Sequence, residues 1–171
     1  MLKSNPEMQQ DFSRRNPEDD QLFQADYDHI ESGKGCKNCD EERLVQRIPR
    51  TTNVPVIHYG LIGSGNQVMR HGVMREKLQR ERGILCFEME AAGLMDHFPC
   101  LVIRGICDYS DTHKNENWQP YAAATAAAYA KGLLEIIPPV QVDRTPTAAD
   151  AIKASPLYFP VYNVMLKKLF I

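Results

Sequence analysis

The chain has 171 residues, 43% hydrophobic and 25% charged, which fits one ordered domain rather than a disordered segment. A formal charge of −2 with no basic stripe argues against a nucleic-acid partner, and no apolar run reaches the roughly 18 residues of a membrane span. Five cysteines cannot all pair within one chain, and the start lacks a signal peptide's apolar core, so an intracellular, cytoplasmic location is expected.

Residues 1–55 are polar and turn-rich and read as a partly irregular N-terminal segment. Within them, 19–27 is predicted to form a helical turn or two anchored by Leu22, Phe23 and Tyr27. Cys36 and Cys39 follow at Cys-x-x-Cys spacing. A closed zinc site needs four ligands, and no second cysteine pair follows. His29 and His58 could join only by folding back. Free thiols in a surface loop are therefore the favoured reading, and no metal is expected. A thioredoxin-like role lacks the strand and helix that would flank the pair.

Residues 56–62 are the first convincing strand, and Gly63-Ser64-Gly65-Asn66-Gln67 turns sharply after it. Such a turn can cradle a ligand with backbone N–H groups, but taken alone it reads as a tight turn that needs glycine. Residues 73–83 are predicted to be helical, with Met74 and Leu78 as the buried stripe and no ligand role for Met74. Two short apolar runs follow, 84–87 and 100–106, preceded by Gly83 and Pro99 and separated by a helical segment at 89–97. Strand, helix and strand at this spacing predict a βαβ unit with parallel strands.

The charges of this unit mark a site. Glu88 and Glu90 follow the first strand, and Asp108 and Asp111 follow the second. Both pairs then fall at strand carboxyl ends, where open α/β sheets form ligand crevices. The plain alternative is a helix-dipole or capping role for each. Arg104, a lone charge late in a buried strand, is expected to pair with Glu88. Residues 112–117 form a polar loop, and 118–137 a long helix ended by Pro138 and Pro139, whose alanine run lets a neighbour approach closely. From 140 the composition is that of a linker, and 156–171 form an apolar tail that either docks on the body, docks on a partner or has no evolved role. The expected organisation is thus 1–55, a core at 56–139, and 140–171.

Cys-Phe-Glu-Met-Glu-Ala-Ala-Gly, followed by Arg-Gly-Ile-Cys-Asp, resembles the C-terminal portion of the nucleoside phosphorylase and nucleosidase superfamily. The nearest kinds are purine nucleoside phosphorylases and methylthioadenosine/S-adenosylhomocysteine nucleosidases, and the likeness covers roughly 19–137. It implies an α/β, three-layer, Rossmann-like fold, a central sheet flanked by helices, with the N-terminal part of the domain missing. By match, Glu90 grips the ribose hydroxyls, Met89 packs on the sugar and Asp108 donates a proton to the purine. Val68 and Met69 would line the base pocket, with Ser64, Gly65, Glu88 and Arg104 in support. Asn66 and Val68 replace the Asp and the aromatic that the family carries there.

The absence of an Arg in 118–130 leans towards the nucleosidase arrangement. The resemblance implies a purine nucleoside as partner, no cofactor, and phosphate as co-substrate if the reaction is phosphorolysis. It also implies a homo-oligomer or association with further domains. Fungal proteins of this superfamily carry closely similar segments, often ahead of nucleotide-hydrolysing and repeat domains. Nothing in 1–55 resembles the family's phosphate loop or its water-positioning Glu, so impaired turnover is expected of the isolated chain. Three readings follow: a glycosidic-bond-cleaving enzyme, a nucleoside-binding sensor module, and a degraded fragment.

Overall fold

The computed structural model describes residues 5–30, 35–95, 100–147, 149–150 and 167–170. Helix α1 (Pro6–Phe12) is followed by single 3-10 turns at Pro17–Asp19, Cys36–Asn38 and Glu41–Arg43. The helical turn expected at 19–27 does not form. Phe23 instead makes an antiparallel bridge to Leu44, with Gln24 N–H donating to the Arg43 carbonyl at 2.8 Å. The reason is packing. Phe23 is 2% exposed and lies flat on His113, ring centroids 4.1 Å apart, which fixes its backbone as an extended edge.

The strand predicted at 56–62 is two strands in two sheets. β1 (Val56–Tyr59) pairs antiparallel with β4 (Lys167–Phe170), and β2 (Leu61–Ser64) pairs parallel with β3 (Ile84–Glu88). Gly60 is the break; a Cβ there would strike the Leu85 side chain. Between β2 and β3 runs α2 (Gly72–Arg82). The His71 imidazole caps its start by accepting from Met74 N–H, and Gly83 closes its end in the left-handed region at φ 67°. The predicted stripe is not the buried face of this helix. Met74 is exposed and Leu78 half-buried, while the buried residue is Gly72, whose missing Cβ lets the backbone of Ala25 approach.

Helix α3 (Ala91–Met95) follows β3; the rest of its predicted span, 96–97, lies outside the described residues. The second strand of the expected βαβ unit, 100–106, forms no ladder among the described residues and holds a single bridge residue, Gly105. Its apolar side chains still do a strand's packing: Val102 and Ile106 close over buried Ile62 and Cys86 together with Met95. The parallel pair is therefore β2–β3, joined through α2. Helix α4 (Gln119–Glu135) has the predicted place and its proline near the first turn. The close approach expected of its alanine run is made by Gly105, where a Cβ would collide with the Ala122 carbonyl. Beyond the two prolines the chain continues as α5 (Pro139–Arg144) rather than as an irregular linker, because Pro139 occupies the first helical turn, where a missing N–H costs nothing. The fold is mixed α/β, with a small parallel sheet and helices, and among the described residues its strands form two two-stranded sheets.

Candidate functional site

The parallel ladder sets the site. Ser64 and Glu88 are register partners at the last rung of β2 and β3, so the Gly-Ser-Gly turn and the Glu-Met-Glu segment leave the sheet side by side. Gly63 is needed there because a Cβ would press on the Phe87 ring. Gly65 N–H donates to the Glu88 carbonyl at 3.2 Å and extends the ladder by one bond.

Glu88 is 5% exposed and turned inward. Its Oε2 accepts from the N–H groups of Glu90 at 2.8 Å and Ala91 at 2.7 Å, closing the start of α3. Burial alone would push this carboxyl up, but the Ser64 hydroxyl and those N–H groups prevail and hold it below its ordinary value. Oε1 has no hydrogen-bond partner among the described residues. Ser64 Oγ also accepts from Ala92 N–H at 3.0 Å, so the serine bridges β2 to α3.

The expected Arg104–Glu88 pair is not made. Arg104 Nη1 lies 3.2 Å from Glu90 Oε2, at a half-exposed position. Glu88 is committed to the α3 backbone, while Glu90, one step past the strand, projects outward with its side chain 64% exposed and meets the guanidinium there.

Asp108 is held on three sides. Oδ2 lies 2.9 Å from Lys114 Nζ, Oδ1 accepts from Ser110 N–H at 2.9 Å, and the Cys107 thiol approaches Oδ2 at 3.4 Å. Ser110 sits at φ 56°, a left-handed turn that wraps the backbone round the carboxylate. Burial first, then the charge of Asp108, push the Cys107 thiol up to about 11, so it stands there as a donor and not as a thiolate. Asp111, 5% exposed, faces away from this group and accepts from Arg75 at 3.1 Å; Arg75 also donates to the Tyr109 carbonyl at 2.7 Å. Asp111 thus ties the loop to α2.

A cavity of about 470 Å³ opens at the ends of β2 and β3 and gathers Val68, Met69, Glu88, Met89, Arg104 and Asp108 on its wall. Lys114 and the alanine face of α4 complete it. Glu90, Ser64 and Gly65 lie outside the lining, Glu90 behind Arg104 and the other two behind Glu88. Sequence reasoning missed Lys114, Ser110 and Arg75. Lys114 lay in a segment read only as a polar loop; the one available signal was the Asp-Tyr-Ser-Asp turn, which brings the chain back on Asp108. A second cavity, about 320 Å³, shares Asp108 and is walled on its other side by the N-terminal segment, including Arg47 and Asp20.

A second cluster lies close by. Ligand atoms of His29, Cys36 and Cys39 all fall within 4.8 Å of one another. Among the described residues no helix is long and apolar enough to cross a membrane.

No protein-family model matches the chain, and no solved structure matches it. A nucleotide-binding leucine-rich repeat (NLR)-like protein of the fungus Hyaloscypha variabilis is 52% identical over 122 residues, 71% of this chain and 12% of that protein. The 5'-methylthioadenosine/S-adenosylhomocysteine nucleosidases of Mycobacterium bovis and Mycobacterium tuberculosis are each 29% identical over 89 residues, 49% of this chain and 35% of theirs. The chain thus spans only a minor part of each of these relatives, and it is similar both to a segment of a large fungal NLR-like protein and to part of a nucleosidase.

Proposed function

We propose that the larger cavity binds a purine nucleoside, in a domain of the three-layer phosphorylase and nucleosidase type. The observation that carries this reading is the convergence of Met69, Met89 and Asp108, far apart in sequence, on one cavity at the ends of β2 and β3. Clefts at strand carboxyl ends are where such sheets bind ligands, and a wall that sets methionine, valine and alanine beside charged and amide side chains suits a base with polar edges. The Asp108–Lys114 pair sets an acceptor beside a donor, 2.9 Å apart. That pattern complements the adenine edge, whose N7 accepts and whose 6-amino group donates. Met89 packs on the sugar, and Glu90, reached through Arg104, takes the ribose hydroxyls once the nucleoside displaces that ion pair.

In the enzymatic form of this reading, Asp108 enters protonated and gives that proton to the base as the glycosidic bond breaks, while water or phosphate bonds to the ribose carbon in the base's place; such a proton donor contributes about 10²–10⁴-fold in rate. The similarity to two nucleosidases supports it. The second reading, a nucleoside-binding sensor module without turnover, is favoured by the match to a small part of a large NLR-like protein. Calorimetric titration with adenosine and methylthioadenosine, beside an adenine-release assay with and without phosphate, separates the two. Binding with release that Asp108→Asn abolishes supports the enzyme. Binding without release supports the sensor. No binding of either nucleoside sinks both.

A further inference from the structure

We propose that His29, Cys36, Cys39 and His113 form a zinc site that fastens the N-terminal segment to the loop carrying Asp108. From the sequence alone the cysteine pair lacked partners; the fold supplies them. The chain brings His29 back to the Cys36–Asn38 turn, and one imidazole nitrogen and two sulfurs lie within 4.8 Å of one another. Two thiols and imidazole are the donor set that selects zinc over the hard cations.

The fourth ligand comes from an independent observation. His113 is 6% exposed, and neither ring nitrogen has a hydrogen-bond partner among the described residues. A buried polar group left in that state is costly, and coordination removes the cost. Its ring stands beside that of His29, centroids 5.3 Å apart and edge-on. Nδ1 faces Asp111 Oδ1 at 3.8 Å, which leaves Nε2 for a metal. His113 lies outside the close group of three, and as the fourth ligand its ring would have to shift towards them from its stack on Phe23.

Phe23 and Tyr27 stack on His113, at 4.1 and 5.3 Å between centroids, and wall the cluster with rings. Four protein ligands behind such a wall make a structural site rather than a catalytic one. Zinc binding displaces the two thiol protons to solvent. Because His113 follows Asp111 in the Asp108–Lys114 loop, the metal would brace the wall shared by the two cavities.

The test uses the 171-residue chain purified under reducing conditions. Elemental analysis should find one zinc per chain after dialysis. Replacement by Co²⁺ should give intense tetrahedral ligand-field bands and a thiolate-to-cobalt charge-transfer band. Cys39→Ser should weaken that band, and His113→Gln should loosen the metal at least about tenfold while the band persists. A reduced wild-type chain that retains neither metal after reconstitution, or a cobalt derivative without the charge-transfer band, would overturn the site. A Cys36–Cys39 disulfide in protein purified without reductant, together with no zinc uptake by the reduced form, would do the same. Unchanged affinity in His113→Gln would remove the fourth ligand. The wild-type cobalt spectrum does not depend on any variant folding.

Discussion

Glu88 stands at the junction of sheet, α3 and cavity, and its removal should be felt as lost stability before any effect on a ligand. In Glu88→Ala the N–H of Ala91, a residue 5% exposed, loses the carboxylate that accepts it at 2.7 Å. The N–H of Glu90 loses its acceptor as well, but lies nearer water. An unsatisfied buried donor costs about 1–3 kcal/mol, so a total of about 2–3 kcal/mol is expected after the unpartnered Oε1 is also removed. Glu88→Gln keeps an acceptor and loses the charge, a cost of about 1 kcal/mol. The two variants also differ from the parent in acid. The folded carboxyl sits below the ordinary 4.5, so its stabilisation is complete above that pH and fades as pH falls through the folded value. Urea unfolding across a pH series should therefore show the gap between parent and Glu88→Gln closing in acid. A cost under about 0.5 kcal/mol for Glu88→Ala, or a gap that stays constant down the acid limb, would refute the reasoning.

Three further outcomes are expected. Glu90→Gln should weaken adenosine binding about tenfold, because it replaces a charged acceptor for the ribose by a neutral one; titrations that superimpose would take Glu90 out of the site. Gly105→Ala should cost about 1–3 kcal/mol, since the new methyl meets the backbone of α4 and not a flexible side chain; an unchanged denaturation midpoint would show that the helix moves aside freely. The Cys107 thiol, raised from 9.0 to about 11, should be alkylated at neutral pH about a hundredfold more slowly than a thiol at the lower value. Peptide mapping after iodoacetamide measures this, and labelling at the rate of an unhindered thiol would contradict it.

Local rules placed the two longest helices but not α1, α5 or the extended edge at Phe23. α4 could be placed from an alanine run bounded by prolines, because propensity acts within one turn, and α2 from its charged segment at 73–83, though not its buried face. That the alanine run of α4 admits a close neighbour was legible; that the neighbour is Gly105 was not. Strand partnership was not, because ladders form between distant segments. Nothing in 56–62 reveals that Gly60 divides it between two sheets, or that 100–106 packs as a strand yet takes no ladder. At the site, residue types at the strand ends pointed to the acidic cluster. Which carboxylate turns inward depends on the α3 backbone, so the Arg104 partner was placed one residue pair too early. Lys114, Arg75 and the closing of His29 on Cys36 and Cys39 depend on how the N-terminal segment and the 109–118 loop pack, which no local pattern encodes.

The division of the chain at Gly60 separates two kinds of durability. The β1–β4 ribbon and the β2–β3 ladder share no strand pairing among the described residues; Gly60 joins them along the chain, and α4 lies against β4. Such units open with their own free energies. Fraying of β4 therefore leaves the rung at Ser64 and Glu88 in place, while the α4 wall of the cavity loses a neighbour. Substitutions that alter how β4 is held would therefore reach the cavity through its helical wall and not through its strand-end rung.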